Sequence, residues 1–437
     1  MSLGILKLSR IFILSIALIT IVQASGTMNF DLIKKGTQDD NTLLIVGGIQ
    51  GDEPGGFVSA SLIATHYEIT KGSVWVVPNL NFYSIIKRNR GPYGDMNRKF
   101  AKLSKKDPEY ATVQRIKSYI KDESVKLIVN LHDGSGFYRK KYIDKKHSPH
   151  KWGQCAVIDQ EKLDIEKYGN LAQISDQVIK HVNKHLIKEE DIYDVHDTKT
   201  AEGDLEMAKT LTFFAINQGK SAFGNEASKE LPTNQRVYYH LLALEEYMNI
   251  MGIEFKRKFK LTSAGVYDAI NNDIYISLYD GRIKLPLSQV RDALNYFPIK
   301  EDGIVDFEAS NPLLTVFKKD NRYVIQYGNR RLSKLKASYQ AIDNDSPEVE
   351  IEVDGKLNDI KFGTIIDVKN NFLVKENKDY RINVIGYTTK SNIETNKKIR
   401  KYNIKKRYSI DTKGFIYRIE YYKNKKFAGM ILVKFKT

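Results

Sequence analysis

The sequence predicts an α/β domain with a mixed, largely parallel sheet flanked by helices, then a small β-rich domain and a C-terminal β-sandwich. Three observations carry this. From Thr42 to about Met251, short apolar runs alternate with longer amphipathic ones, the pattern of strand and helix in turn. After Met251 the long helical patterns stop and short β-rich runs follow each other. After Asn344–Pro347, which reads as a linker, alternation of period two resumes with turn signals between runs over about ninety residues, the pattern of a sandwich of immunoglobulin-like kind.

In chain order, Leu43 to Ile49 reads as a buried strand, Gly55 to Tyr67 as a helix and Ser73 to Pro78 as a strand. Pro108 to Lys121 places Tyr110, Val113, Ile116 and Ile120 on one helical face. Val125 to Leu131 is a strand again, and Leu171 to Ile187 and Asn234 to Ile250 read as helices. Farther on, Ile274–Tyr279 and Arg282–Leu287 read as a hairpin through Asp280-Gly281. A helix is expected near Leu287 to Tyr296, with strands at Ile304–Phe307, Leu313–Phe317 and Tyr323–Tyr327. The sandwich strands fall at Val349–Val353, Phe362–Val368, Tyr380–Tyr387, Phe415–Tyr421 and Ala428–Phe435.

The 437 residues carry a formal charge of +16. Such a balance suits an anionic partner: nucleic acid, a membrane surface or an acidic polymer. The N-terminus narrows the choice. Lys7 and Arg10 precede the apolar run Ile11 to Val22, followed by the small-x-small triplet Val22-Gln23-Ala24. This is the layout of a secretory leader, and the run is shorter than the ~18 apolar residues of a membrane span. Cleavage leaves a chain without a transmembrane segment that works outside the cytoplasm, which argues against nucleic acid. The expected organisation is therefore a leader over 1–24, an α/β domain over 25–251, a small β-rich domain over 252–343 and a sandwich over 344–437. The single cysteine, Cys155, rules out an intramolecular disulfide and reads as a core thiol. No sequence feature specifies an oligomeric state. Basic residues crowd the last domain, from Lys397 to Arg407 and again from Lys423 to Lys426. They read as a solvated face or as a docking surface for an anionic wall polymer.

The chemistry gathers at strand ends, where open α/β sheets place their sites. Leu43–Gly56 runs from strand through Gly47, Gly48 and Gly51 to Pro54, a residue suited to the first turn of a helix. Gln50 and Glu53 sit on that turn, and His132 ends the strand Val125–Leu131. Singly, the first two read as turn and cap residues and the third as a core histidine. Together they offer three ligands to one divalent metal and leave a position open for water, the layout of a catalytic zinc site. The amide oxygen of Gln50 is a weaker donor than imidazole. Arg88, Arg90, Asn97 and Arg98 lie on a stretch that reads as a basic loop or as a site for carboxylate recognition. Glu226 supplies a carboxylate suited to a general base, with Glu202, Glu206 and Glu230 as rivals.

In this order, Gln50-x-x-Glu53, Arg88/Arg90, Asp95-Met-Asn97-Arg98-Lys-Phe100, Asn130-Leu-His132-Asp133 and Phe223-x-x-Glu226 resemble the elements of the zinc metallocarboxypeptidases, relatives of the pancreatic enzymes. The departure is Gln50 where that family has His. The Gln, the leader and two C-terminal β-domains resemble the periplasmic murein DL-carboxypeptidases of helical bacteria. The resemblance covers Thr42 to Met251 and implies the following. Gln50, Glu53 and His132 hold Zn2+. Arg88 or Arg90, with Arg90 favoured, polarises the scissile carbonyl. Asn97 and Arg98 grip the terminal carboxylate, and Glu226 moves the proton. The substrate is a peptidoglycan stem tripeptide, trimmed to a dipeptide by release of meso-diaminopimelate, with an effect on cell shape. Two rivals stand beside it: an amidohydrolase of the desuccinylase/aspartoacylase type, and a non-catalytic peptidoglycan-binding protein whose metal site has decayed at Gln50.

Overall fold

A computed structural model describes residues 29–343, 345, 348–391 and 393–436. The expected leader lies outside the described residues, as do Asn344, Ser346 and Pro347 of the expected linker.

The first sheet has seven strands: β1 (Ile33–Gly36), β2 (Thr42–Val46), β3 (Ser73–Val77), β4 (Val125–Gly134), β5 (Cys155–Ile158), β6 (Asp194–Asp197) and β7 (Ser221–Ser228). Their spatial order is β1-β3-β2-β4-β7-β5-β6. β3, β2, β4 and β7 run parallel, while β1 is antiparallel to β3, β5 is antiparallel to β7, and β6 runs parallel to β5. The central strands are buried on both faces, so β2 and β3 read as unbroken apolar runs. Register is what matters for chemistry: Glu226 on β7 stands opposite His132 on β4, and opposite Cys155 on β5.

Helices cover both faces. They are α1 (Pro54–His66), α2 (Phe82–Lys87), α3 (Tyr110–Lys121), α4 (Leu171–Asn183), α5 (Leu211–Ile216), α6 (Thr233–Ile250) and α7 (Ser263–Asn271). α1 is apolar nearly all round because it lies between β4 and α6. α3 buries Val113, Ile116 and Ile120, the stripe its spacing predicts. α4 stops at Asn183, short of the expected Ile187; the Asn183 side chain turns back to bond both the N–H and the C=O of Tyr193.

The middle region differs from expectation in three places, the simplest being that the strand expected at Ile304–Phe307 forms at Phe307–Ala309 instead. No helix forms over 287–296. Leu287, Val290 and Leu294 have helical spacing and are buried, but Gln289 takes a left-handed φ of 57° and Arg291 is tied to Ile410 and Ser409. The chain then enters a strand, Leu294–Lys300. Conversely, α7 forms where no helix is expected, starting from a cap in which the Thr262 hydroxyl accepts from Gly265 N at 3.0 Å. The hairpin forms as Tyr275–Leu278 against Ile283–Pro286, with a four-residue connection because Tyr279 and Asp280 join Gly281 at positive φ. A second sheet of this region orders Leu294–Lys300, Arg330–Gln340, Arg322–Tyr327 and Leu314–Lys319.

The C-terminal region stacks a three-stranded sheet (Lys356–Lys361, Glu348–Val353, Phe372–Val374) on a four-stranded one (Ile365–Val368, Lys426–Phe435, Ile416–Lys423, Arg381–Val384). Both sheets line one apolar core that includes Ile351, Phe372, Ile419 and Ile431. A larger core runs unbroken from the first sheet into the middle region. There Gln326 donates to Ile86 O at 3.2 Å and Gly328 approaches Phe57. α1 and α2, which flank the candidate site, are thereby braced from behind.

Candidate metal centre

Two glycines let the β2–α1 turn close on its neighbours. A Cβ on Gly51 would lie 2.1 Å from the backbone of Ser84, and one on Gly55 would lie 2.2 Å from Asp133 Oδ1. Without side chains there, the turn presses onto α2 and the end of β4. Pro54 opens α1, and Glu53 at the N-cap makes no capping bond with its side chain. Its carboxylate instead points at β4.

Three donor atoms converge there. His132 Nδ1 lies 3.1 Å from Gln50 Oε1 and 2.9 Å from Glu53 Oε2. Tetrahedral ligand atoms at zinc bond lengths sit about 3.3 Å apart, so a small divalent ion fits with little movement. Among the described residues no cluster of three His, Cys, Asp or Glu side chains could hold a metal. The set is complete only with the Gln50 amide, whose orientation is fixed: its Nε2 donates to Asp95 Oδ1 at 2.8 Å. A carboxylate only accepts, so the amide oxygen must face the histidine.

The histidine has a matching support. Its Nε2 lies 2.7 Å from Asn130 Nδ2, while Asn130 Oδ1 is buried without a partner. Turning that amide over pairs Oδ1 with an Nε2–H. This is the tautomer that frees the Nδ1 lone pair for a cation. With no cation bound, burial works to lower the His132 pKa, but the hydrogen bond and charge of Glu53 outweigh it and raise it.

Glu53 is the hub. Besides His132 it meets Arg90 Nη1 at 3.2 Å, Lys229 Nζ at 3.5 Å and the N–H of Asp133 at 3.2 Å. Arg90 also donates to Asp95 Oδ2 at 3.0 Å, and Lys229 to Asp52 Oδ2 at 2.9 Å. Arg90 is half exposed, and so can meet a ligand at the mouth of the site. The structure thus brings Arg90 to the site and not Arg88, the alternative kept open above. Arg88 caps α2 at a left-handed φ of 57° with its side chain in solvent.

Glu226 is not on an exposed loop. It sits inside β7, part-buried, beside His132. Its Oε2 is closed off from solvent and has no hydrogen-bond partner. Burial pushes the carboxyl up to about 8; Glu53 and Asp133 push the same way and His132 opposes. An enclosed, unpartnered carboxylate oxygen beside three convergent donors calls for a cation. The rivals are engaged otherwise or exposed: Glu206 pairs with Lys209 at the edge of the site, Glu230 pairs with Lys146, and Glu202 is exposed.

Asn97 lies on the other side of the histidine, its Nδ2 at 3.5 Å from His132 Nε2. Its Oδ1 accepts from Leu211 N at 3.0 Å, which leaves the NH2 turned to the site. Arg98 donates to Asn97 O at 3.2 Å and makes only a loose contact, 3.7 Å, with the exposed Glu206. Its guanidinium therefore remains available to an incoming carboxylate.

Asp95 and Asp133 flank the predicted site residues in sequence, and their roles appear only in the fold. Asp133 accepts from Gly55 N at 2.8 Å and Arg236 at 3.1 Å, and lies 3.3 Å from His240 Nε2. Burial works to raise its pKa, but His240, Arg236 and Gly55 N hold it below the usual carboxylate range. It thereby fixes the start of α1 against β4 and α6. Asp95 aims the Gln50 amide. Asp95→Asn offers Gln50 both a donor and an acceptor and releases that aim. Metal affinity is expected to fall about 10- to 100-fold; competition with a chromophoric chelator measures it, and an unchanged affinity would remove Asp95 from the site.

The family model described as the catalytic part of a carboxypeptidase controlling helical cell shape matches residues 7–271. Models for the β-barrel domain of carboxypeptidase M99 and for the C-terminal domain of metallo-carboxypeptidase match 272–341 and 342–436. No curated protein sequence matches the chain. Among solved structures, the tripeptide-bound cell shape determinant Csd4 from Helicobacter pylori is 42% identical, covers 93% of this chain and 100% of its own, and superposes with a TM-score of 0.85. The product-bound form gives the same values. The mDAP-bound form, described as a D,L-carboxypeptidase, is 41% identical over 92% of this chain and 100% of its own, with a TM-score of 0.85.

Proposed function

The chain belongs to the family of carboxypeptidases that control helical cell shape, and from that premise we propose that it is a periplasmic zinc D,L-carboxypeptidase. Its reaction removes the C-terminal meso-diaminopimelate from murein tripeptides and leaves dipeptides. The observation that carries this reading is the convergence of Gln50 Oε1, Glu53 Oε2 and His132 Nδ1 beside the unpartnered Oε2 of Glu226. A clamp of carboxylate-binding character stands next to them in Asn97 and Arg98. The tripeptide and product bound in the Csd4 structures support the choice of substrate class.

Zinc, held by Gln50, Glu53 and His132, supplies Lewis-acid polarisation of water and of the scissile carbonyl when bound. The residues do the rest. Arg98 and the Asn97 amide hold the free terminal carboxylate, which sets the depth of the substrate so that one residue lies beyond the scissile bond. Arg90, anchored on Glu53 and Asp95, presents N–H groups to the carbonyl oxygen as negative charge builds on it. Glu226 takes the proton of the attacking water on Oε2. As the C–N bond breaks it passes that proton to the leaving amine. Periplasmic location rests on the leader expected over 1–24; among the described residues no helix is long and apolar enough to cross a membrane.

The test is product analysis by mass spectrometry on defined tripeptide and tetrapeptide muropeptides, with and without chelator. Diaminopimelate is expected from the tripeptide, chelator should abolish its release, and the tetrapeptide ending in D-Ala should be a poor substrate. D-Ala as the main product, or turnover unaffected by chelator, would overturn the reading.

A further inference from the structure

Of the twelve residues from 396 to 407, seven are Lys or Arg and none is Asp or Glu. Among the described residues the ion pairs of the C-terminal region lie elsewhere, at Lys361, Arg418, Lys423 and Lys436. Among the described residues no carboxylate pairs with any of the seven cations; Lys401 lies over the Phe415 ring, 3.3 Å from its centre, and the others face solvent and repel one another.

The segment is held as an arch. Ile399, Ile404 and Ile410 are buried, and the residues between them carry the charges outward. The backbones of Ile399 and Phe372 exchange hydrogen bonds of 2.7 and 3.0 Å, and Lys405 N donates to Gly386 O at 3.0 Å. From the middle region Arg291 reaches across to Lys406 O and Ser409 O, both at 2.9 Å. Gly386 and Gly414 let the neighbouring strands close on it: a Cβ on either would come within 2.8 Å of Tyr408 or Lys406 side-chain atoms. Such anchoring fixes the spacing of the charges before any partner arrives.

Aromatic rings alternate with the cations. Tyr402 is 74% exposed and Tyr408 38% exposed. Arg400 donates to the Tyr402 hydroxyl at 2.7 Å, and the Arg407 guanidinium lies 5.1 Å from the Tyr408 ring centre. Exposed rings beside unpaired guanidinium and ammonium groups suit a ligand that offers both carboxylates and the apolar faces of sugar rings.

We propose that this arch docks the enzyme on polymeric peptidoglycan, its cations meeting stem-peptide carboxylates and Tyr402 meeting a sugar face. The inference rests on the reading of the enzyme as a peptidoglycan carboxypeptidase; the two fail separately, because docking is read on the polymer and the reaction on a soluble peptide. The experiment is co-sedimentation of the zinc-loaded mature enzyme with purified sacculi previously trimmed to completion, so that the active site adds nothing. One variant carries Lys397→Glu, Lys398→Glu, Lys405→Glu and Lys406→Glu. A control of equal charge change carries Lys105→Glu, Lys106→Glu, Lys318→Glu and Lys319→Glu, all exposed residues of other regions. The arch variant is expected to bind about tenfold more weakly, the control to stay close to wild type, and both to keep wild-type kcat/KM on soluble tripeptide. Equal losses in the two variants, no loss in the arch variant, or tighter wild-type binding to phosphatidylglycerol vesicles than to sacculi would overturn the proposal. If the charge reversal prevents folding, Tyr402→Ala with the same four lysines changed to Gln replaces it, and retained sacculus binding in that protein overturns the proposal as well.

Discussion

Glu226→Gln is expected to lower kcat on the tripeptide by about 10²- to 10⁴-fold, the range of a general base, while zinc content and tripeptide affinity stay near wild type. The amide keeps the size and shape of the carboxylate but cannot accept the water's proton. It is not one of the three convergent donors, and the clamp at Asn97 and Arg98 is untouched. The same substitution has a signature in the metal-free protein. Burial holds the folded carboxyl at about 8, above its ordinary 4.5. The sign follows: the folded state keeps a proton that the unfolded chain releases, so stability falls as pH rises from about 4.5 to about 8. Glu226→Gln removes that dependence. Without metal, the variant should melt higher than wild type at pH 8 and close to it near pH 4.5. With zinc bound, the added positive charge lowers the carboxyl again and the advantage should shrink. Stopped turnover assays and melting curves at the two pH values check both halves. Near-normal turnover would remove Glu226 from the role of base.

Much of this site was legible because its parts are marked by local chemistry. Apolar runs ending in glycines announced β2 and β4, and the strand-to-helix turn through Gly51 and Pro54 stands where it was expected. What could not be read was the company each residue keeps. Gln50 and Asp95 are 45 positions apart, and only the folded chain shows one aiming the other. Glu226 followed no alternating pattern, since β7 is covered on both faces, so its place opposite His132 is a matter of register. Asp133 was visible beside His132, but its partners Arg236 and His240 come from α6. The expected helix over Leu287–Tyr296 failed for a related reason. Helical spacing of Leu287, Val290 and Leu294 records that they are buried; the hold of Arg291 on Ser409, 118 positions away, decides that they are not helical. α7 shows the converse: a local cap at Thr262 starts a nine-residue helix whose short apolar face, Val266, Ala269 and Ile270, is the buried one.

His132→Ala leaves two oxygen donors, one of them a neutral amide, and metal affinity is expected to fall on the order of 10²-fold or more, the share of one ligand in a small zinc site. Glu53→Ala should lose at least as much, for two reasons. It removes the only charged ligand. It also leaves Arg90 and Lys229, both drawn to the site by that carboxylate, facing the ion position. Two like charges then oppose the cation. The difference between the variants should show in salt. Raised ionic strength screens the part-exposed Arg90 and Lys229, so Glu53→Ala should regain part of its loss while His132→Ala does not. Both should remain folded, because Asp133, Arg236 and His240 still fasten α1 and α6 to β4. The measurements are zinc content after dialysis against a competing chelator at low and high salt, with circular dichroism as the control for folding. Full zinc occupancy in both variants would overturn the assignment of Gln50, Glu53 and His132 as the ligand set.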